Sequence, residues 1–147
     1  MNCDISQAKF KYADLFGVKI KSCKALAADF EYANFVNKVS AKMIFAQAEI
    51  TESIFRFSRF VRIHLANCNL SGNDFTEVDF SYSNLSEANL ADCLLDGASF
   101  AHSSLEDAEI PGSSILNLDL TQCNFKNLKI SPDQCIALLS LFGVEVA

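Results

Sequence analysis

Large apolar residues recur at every fifth position along most of this chain. The series is densest at Leu65, Leu70, Phe75, Phe80, Leu85, Leu90, Leu95 and Phe100. It runs back through Phe60, Phe55, Ile50, Phe45, Phe35, Phe30, Ile20, Leu15 and Phe10 to Ile5. Forward, it continues through Leu105, Ile110, Ile115, Leu120 and Phe125 to Ile130. Only Ala25 and Ser40 break it, and no insertion shifts the frame. Two positions earlier a second series carries small residues, among them Ala8, Cys23, Ala33, Ser58, Cys68, Ala88, Ala98 and Ser103.

Neither regular element accommodates this spacing. Five helical residues advance the chain by about 500°, which smears the apolar teeth around a cylinder. On a flat strand an odd step sends alternate teeth to opposite faces. The backbone must therefore turn once per repeat. Positions i and i−2 share a side of a short extended segment, so each repeat points one large and one small side chain inward. The remaining three positions face water.

The motif quoted by Ala-Asn-Leu at 88–90, Ala-Ser-Phe at 98–100, Ala-Asp-Phe at 28–30, Ala-Asn-Phe at 33–35 and Ala-Asp-Leu at 13–15 resembles the pentapeptide-repeat family. The resemblance covers residues 3 to 130. It implies an all-β fold, a right-handed quadrilateral β-helix with four repeats per coil and residues 20 apart stacked. Two columns follow from that spacing: Phe35, Phe55, Phe75, Leu95 and Phe60, Phe80, Phe100, Leu120. Residues 1–130 form this body and 131–147 a separate tail.

The tail changes character. Ser131-Pro132-Asp133-Gln134 reads as a helix start, with Ser as N-cap and Gln completing a capping box. The helix is expected to reach about Phe142 and stop at Gly143, with Val144–Val146 as a short strand. Its apolar residues Ile136, Leu138, Leu139, Leu141 and Phe142 exceed what one side of a short helix buries. Some are expected to cap the last coil over Phe125 and Ile130. The rest are expected to form a homodimer interface.

Composition adds a narrow, Phe-rich core: of thirteen Phe, ten stand in the five-residue series, and there is no Trp. No apolar run is long enough to span a membrane and no charged leader precedes the repeats, so a soluble, cytoplasmic protein is expected. Five of the six cysteines (Cys3, Cys23, Cys68, Cys93, Cys123) take the small inward slot as apolar filler. Cys3 and Cys23 would stack within reach of a disulfide but are expected to stay reduced. Residues 36–44 disturb the pattern, since Lys38 and Ser40 fall on inward slots. A bulge that leaves Lys38 in water is expected there, because a buried unpaired Lys is costly. Arg56, Arg59 and Arg62, with the outward Phe57 among them, form a small basic cluster.

Charge is strongly segregated. Residues 1–64 hold ten Lys/Arg against six Asp/Glu, a net of +4. Residues 65–125 hold no Lys or Arg and ten acids, Asp74, Glu77, Asp79, Glu87, Asp92, Asp96, Glu106, Asp107, Glu109 and Asp119. A rod so charged offers a DNA-binding protein the electrostatics of a duplex. This acidic surface is the candidate partner site, and direct nucleic-acid binding is not expected. His64 and His102 are outward and far apart, all five glycines stand alone, and no metal or nucleophile constellation is present. No enzyme activity, cofactor or metal is expected.

The stretch from Val36 to Phe60 and the tail Leu-Leu-Ser-Leu-Phe-Gly-Val-Glu-Val also resemble the Qnr-type quinolone-resistance proteins of the same family. That resemblance implies a dimeric DNA mimic that binds DNA gyrase or topoisomerase IV and protects it from inhibitors. This chain is shorter, and its unbroken frame is expected to leave no room for projecting loops. The alternative is a structural or interaction scaffold with another protein partner.

Overall fold

The computed structural model describes residues 2–40 and 43–147, without side chains at 38–40, 43 and 44. Its backbone turns once per repeat at a left-handed residue two places after each large apolar one. From Gln7 to Asn127 these corner residues have φ between +52° and +75°, and all but Gly17, Gly72, Gly97 and Gly112 carry a side chain. A left-handed conformation is costly for a residue with a Cβ, so each corner must be held from both sides. Within the repeat, Ala13 N–H donates to the Phe10 carbonyl at 2.9 Å, closing a turn with φ positive at its third residue. Between coils, the corner N–H of Tyr82 donates to Ala101 O at 3.0 Å.

Four ladders of short parallel bridges result. One climbs from Asp4 through Lys24, Ile54, Asp74 and Leu94 to Ser114, and the next from Lys9 through Asp29, Arg59, Asp79 and Ser99 to Asp119. The third joins Asp14 to Asn34 and His64 to Asn84, Ser104 and Asn124. The fourth starts at β1 (Val18–Lys21), which pairs in parallel with β4 (Ala48–Thr51), and continues through Asn69 and Asn89 to Glu109 and Lys129. Regular strand is otherwise scarce, because each face is only a bridge wide before the next corner.

The stacking step is 20 residues everywhere except across one point of the chain. Wherever the chain after Phe35 lies between the two partners it is 30, as in Lys19 with Glu49, Lys24 with Ile54 and Asp29 with Arg59. The surplus is an antiparallel hairpin, β2 (Val36–Ser40) against β3 (Met43–Ala46), which leaves the rod after Phe35 and returns at Gln47. Gln47 N–H donates back to Phe35 O at 3.0 Å and closes the gap. The expected absence of projecting segments is therefore incorrect. An insertion of two repeats preserves a five-residue frame, so the apolar series passes through it unmarked. The expected fate of the Lys38 side chain lies outside the described residues.

The hairpin also reassigns the core. Phe35 does not lie under Phe55; that place belongs to Ala25, whose N–H donates to Ile54 O at 2.7 Å. Phe45 is not a core tooth but sits on the hairpin, 40 % exposed, edge-on to Phe16 at 5.7 Å. The other column stands and is longer than expected: Phe10, Phe30, Phe60, Phe80 and Phe100 stack at centroid spacings of 5.0, 4.6, 5.4 and 5.0 Å. Beside it, Phe55 and Phe75 stack at 5.6 Å and meet Phe60 and Phe80 edge-on. The small inward slot also carries hydrogen bonds. Ser83 Oγ donates to Phe60 O at 2.7 Å and Ser113 Oγ to Leu90 O at 2.6 Å, while their oxygens accept Ile63 and Cys93 N–H.

The tail begins with a tight turn at Pro132–Gln134 and continues as α1 (Cys135–Leu141). Ser131 N–H donates to Gln134 Oε1 at 2.8 Å, the bond a capping box requires. Gln134 is itself buried, and its Nε2 donates to the Ile110 and Ser113 carbonyls at 2.6 and 2.8 Å. It thus performs for the last coil what the next inward serine would have done. Leu138 and Leu141 pack on the core, whereas Phe125 stays 39 % exposed beside Phe142. The helix covers the end of the rod less fully than the sequence predicts. Val144–Val146 are not in a strand.

Candidate interaction surface

The ten acids of the upper coils separate into three sets. Asp74, Asp79 and Asp119 stand on ladder positions and fold back on their own turns, accepting the N–H of Thr76, Ser81 and Thr121 at 3.1, 2.9 and 2.9 Å. Asp96 accepts Leu116 N–H at 2.8 Å and the Ser114 hydroxyl at 2.5 Å from the next coil. These four are structural as well as acidic. Asp74 also receives Arg56 Nε at 2.5 Å. Its partial burial works to raise its pKa, but the Thr76 hydroxyl, Arg56 and the Thr76 N–H outweigh that and hold the carboxyl below its ordinary value.

Glu106 and Glu109 form ion pairs with Lys126 at 3.6 Å and Lys129 at 3.0 Å. The remaining four, Glu77, Glu87, Asp92 and Asp107, occupy left-handed corner positions. Among the described residues no cation lies within ion-pairing distance of them. Glu87 and Asp107 stack on one corner, Asp92 lies on the adjoining one and Glu77 on a third. Glu77 leans over Gly97, where a Cβ would fall 2.6 Å from Glu77 Oε1. Gly112 makes the same room for Asp92. Glycine at these corners thus lets a carboxylate settle along the rod.

The basic residues of the lower coils are mostly spent. Lys11 pairs with Glu31 at 3.2 Å, Lys19 with Glu49 at 3.9 Å and Lys21 with Glu52 at 3.6 Å. The Arg cluster read from the sequence is dispersed over two corners and a face. Arg56 serves Asp74 and Arg59 bridges Asp29 and Glu31. Arg62 goes elsewhere, between the rings of Tyr32 and Tyr82. The Cys3 and Cys23 sulfurs meet at 2.6 Å, and burial drives Cys93 and Cys123 up to about 12 and about 11. Of the tail residues expected at an interface, Ile136, Leu139 and Phe142 are 64, 40 and 48 % exposed, while Leu138 and Leu141 turn to the rod.

Residues 53–92 and 88–127 match the family model for pentapeptide repeats, more than half of the chain, and the chain belongs to that family. Within it, the relatives are Qnr proteins. The chain is 32 % identical over 69 residues to the pentapeptide repeat protein QnrB4 of Escherichia coli. It is 33 % identical over 69 residues to the quinolone resistance pentapeptide repeat protein QnrB96 of Scandinavium goeteborgense. Each match takes in 47 % of this chain and 32 % of the relative, about a third of its length. Among solved structures, full-length QnrB1, a plasmid-mediated fluoroquinolone resistance protein, superposes with a TM-score of 0.69 at 26 % identity. That superposition covers 98 % of this chain and 68 % of QnrB1. A trypsin-treated QnrB1 gives a TM-score of 0.59 at 25 % identity. No helix among the described residues is long and apolar enough to cross a membrane.

Proposed function

We propose that this protein is a non-catalytic, cytoplasmic DNA mimic that docks on a type II topoisomerase such as DNA gyrase and shields it from quinolones. The observation that carries the reading is the set of corner carboxylates Glu77, Glu87, Asp92 and Asp107, none of which is in an ion pair among the described residues. Their coils hold no Lys or Arg, so a basic DNA channel finds nothing to repel it. The likeness to QnrB1 supports the choice of enzyme, and the hairpin after Phe35 supports protection. Its two strands pair with each other rather than with the coils.

In this reading the coil is right-handed and two rods join through Ile136, Leu139 and Phe142. Six coils at roughly 4.8 Å each give a rod of about 29 Å. Two end to end approach the length of some 20 base pairs, with the acidic coils nearest the dyad.

The test is gyrase supercoiling with and without a quinolone. The protein should restore supercoiling in the drug's presence. At higher concentration without drug it should compete with DNA, less effectively as salt rises. Reversing Glu77, Glu87, Asp92 and Asp107 to Lys should remove both effects, and these positions spare the turns that Asp74, Asp79, Asp96 and Asp119 hold. Equal activity of the reversed protein excludes mimicry; no effect from either protein leaves the interaction scaffold as the better account.

A further inference from the structure

At one corner of the rod no left-handed position carries a carboxylate in any coil. Its left-handed positions are Tyr12, Tyr32, Arg62, Tyr82, His102 and Gln122. The first five form a continuous external stack. Tyr12 and Tyr32 lie 5.0 Å apart and within 7° of parallel. The Arg62 guanidinium is 5.9 Å from the Tyr32 ring and 4.4 Å from that of Tyr82. Tyr82 and His102 stack at 4.8 Å and 18°. The hairpin creates this order. With an uninterrupted 20-residue step, Glu52 rather than Arg62 would follow Tyr32.

We propose that this corner docks an acidic segment of a partner protein, with Arg62 receiving a carboxylate. Arg56 and Arg59 are already engaged with acids of the chain, and among the described residues Arg62 pairs with none. The nearby Glu31 is held by Lys11 and Arg59. Asp14, lower on the adjoining ladder, accepts Phe16 N–H and the Asn34 amide. A guanidinium held between rings keeps its N–H donors for a planar acceptor that enters between them. Next to it runs a groove of about 430 Å³ lined by Tyr32, Arg62, His64, Tyr82 and Asn84, with the hairpin root at Val36 along its edge. Burial lowers the His64 pKa, which leaves Arg62 as the cation of this groove.

The stack disfavours nucleic acid as the occupant. Its ring faces cover one another, leaving edges and hydroxyls outward, so bases have no platform. The acidic corners on either side would also repel a phosphate chain. A short peptide bearing a few carboxylates needs only this corner, whose one turn carboxylate, Glu31, is already paired with Lys11 and Arg59. The inference does not depend on the topoisomerase reading, and no topoisomerase enters its test.

The experiment is an NMR titration of the full chain with three probes: an octaglutamate peptide, an octaglutamine peptide and oligo-dT. Octaglutamate should shift the Arg62 Nε–H and the Tyr32 and Tyr82 ring resonances with a saturable profile, while the other two leave them in place. Arg62→Gln should weaken binding about tenfold, and Arg62→Lys should recover only part of it because the planar donor fork is gone. Unchanged core Phe resonances in both variants establish that they fold. No shift with octaglutamate, or equal binding by Arg62→Gln, overturns the proposal. Shifts with oligo-dT alone overturn it in favour of a nucleic-acid partner.

Discussion

Replacing Phe80 with Ala tests the stacked core most directly. Phe80 is fully buried between Phe60 at 5.4 Å and Phe100 at 5.0 Å, with Phe75 edge-on at 5.1 Å. Truncation removes a whole ring and leaves a void whose floor and roof are rings tied to their own coils. Such a change costs about 3–5 kcal/mol. Three ring contacts worth about 0.5–1.5 kcal/mol each are lost with it, which favours the upper part of that range. The chain shows how a void could close: at Ala25, fully buried, Phe30 and Phe55 lean together edge-on at 6.0 Å. If Phe75 and Phe100 do likewise, the loss falls to the lower end. For a domain of this size, about 4 kcal/mol lowers Tm by roughly 8–16 °C. Thermal unfolding followed by circular dichroism measures it. As control, Phe57→Ala removes a ring 63 % exposed at a corner and should shift Tm by less than about 3 °C. Equal small shifts for both would refute the reasoning.

Deleting residues 37–46 joins Val36 to Gln47 and restores a 20-residue step throughout, so the shortened protein should keep its β spectrum and lose quinolone protection; unfolding would show that the hairpin is part of the rod. In the native protein, Cys93 and Cys123 should resist alkylation at pH 8, because burial holds their thiols protonated up to about 12 and about 11, while exposed Cys135 reacts. Mass spectrometry after brief iodoacetamide treatment reads this directly, and early labelling of Cys93 would show that the core opens. Leu139→Lys with Phe142→Lys should give a folded monomer by light scattering, since unpaired charge is expensive at an interface. A wild-type chain already monomeric at micromolar concentration would rule out the helix-mediated dimer.

The apolar series alone determined that this chain turns every five residues, because no helix or strand can bring Phe60, Leu65, Leu70 and Phe75 to one interior. It determined as well that the rod ends near Ile130, where Ser131 and Pro132 start a helix. The acid-only coils were equally legible, since charge is a property of composition. What the series could not register is anything that adds a whole number of repeats. The hairpin after Phe35 does so, and therefore the identity of each residue's neighbour one coil away was hidden. Ala25 under Phe55, Arg62 between Tyr32 and Tyr82, and the dispersal of three nearby arginines all follow from that single displaced step. Gln134 illustrates the same limit on a smaller scale. Its place in a capping box is a local, three-residue relation, but its bonds to the Ile110 and Ser113 carbonyls exist only once the last coil has closed beneath it. Spacing along the chain specifies which side chains face inward; contact between coils depends on how many residues lie between them, and only the folded rod sets that number.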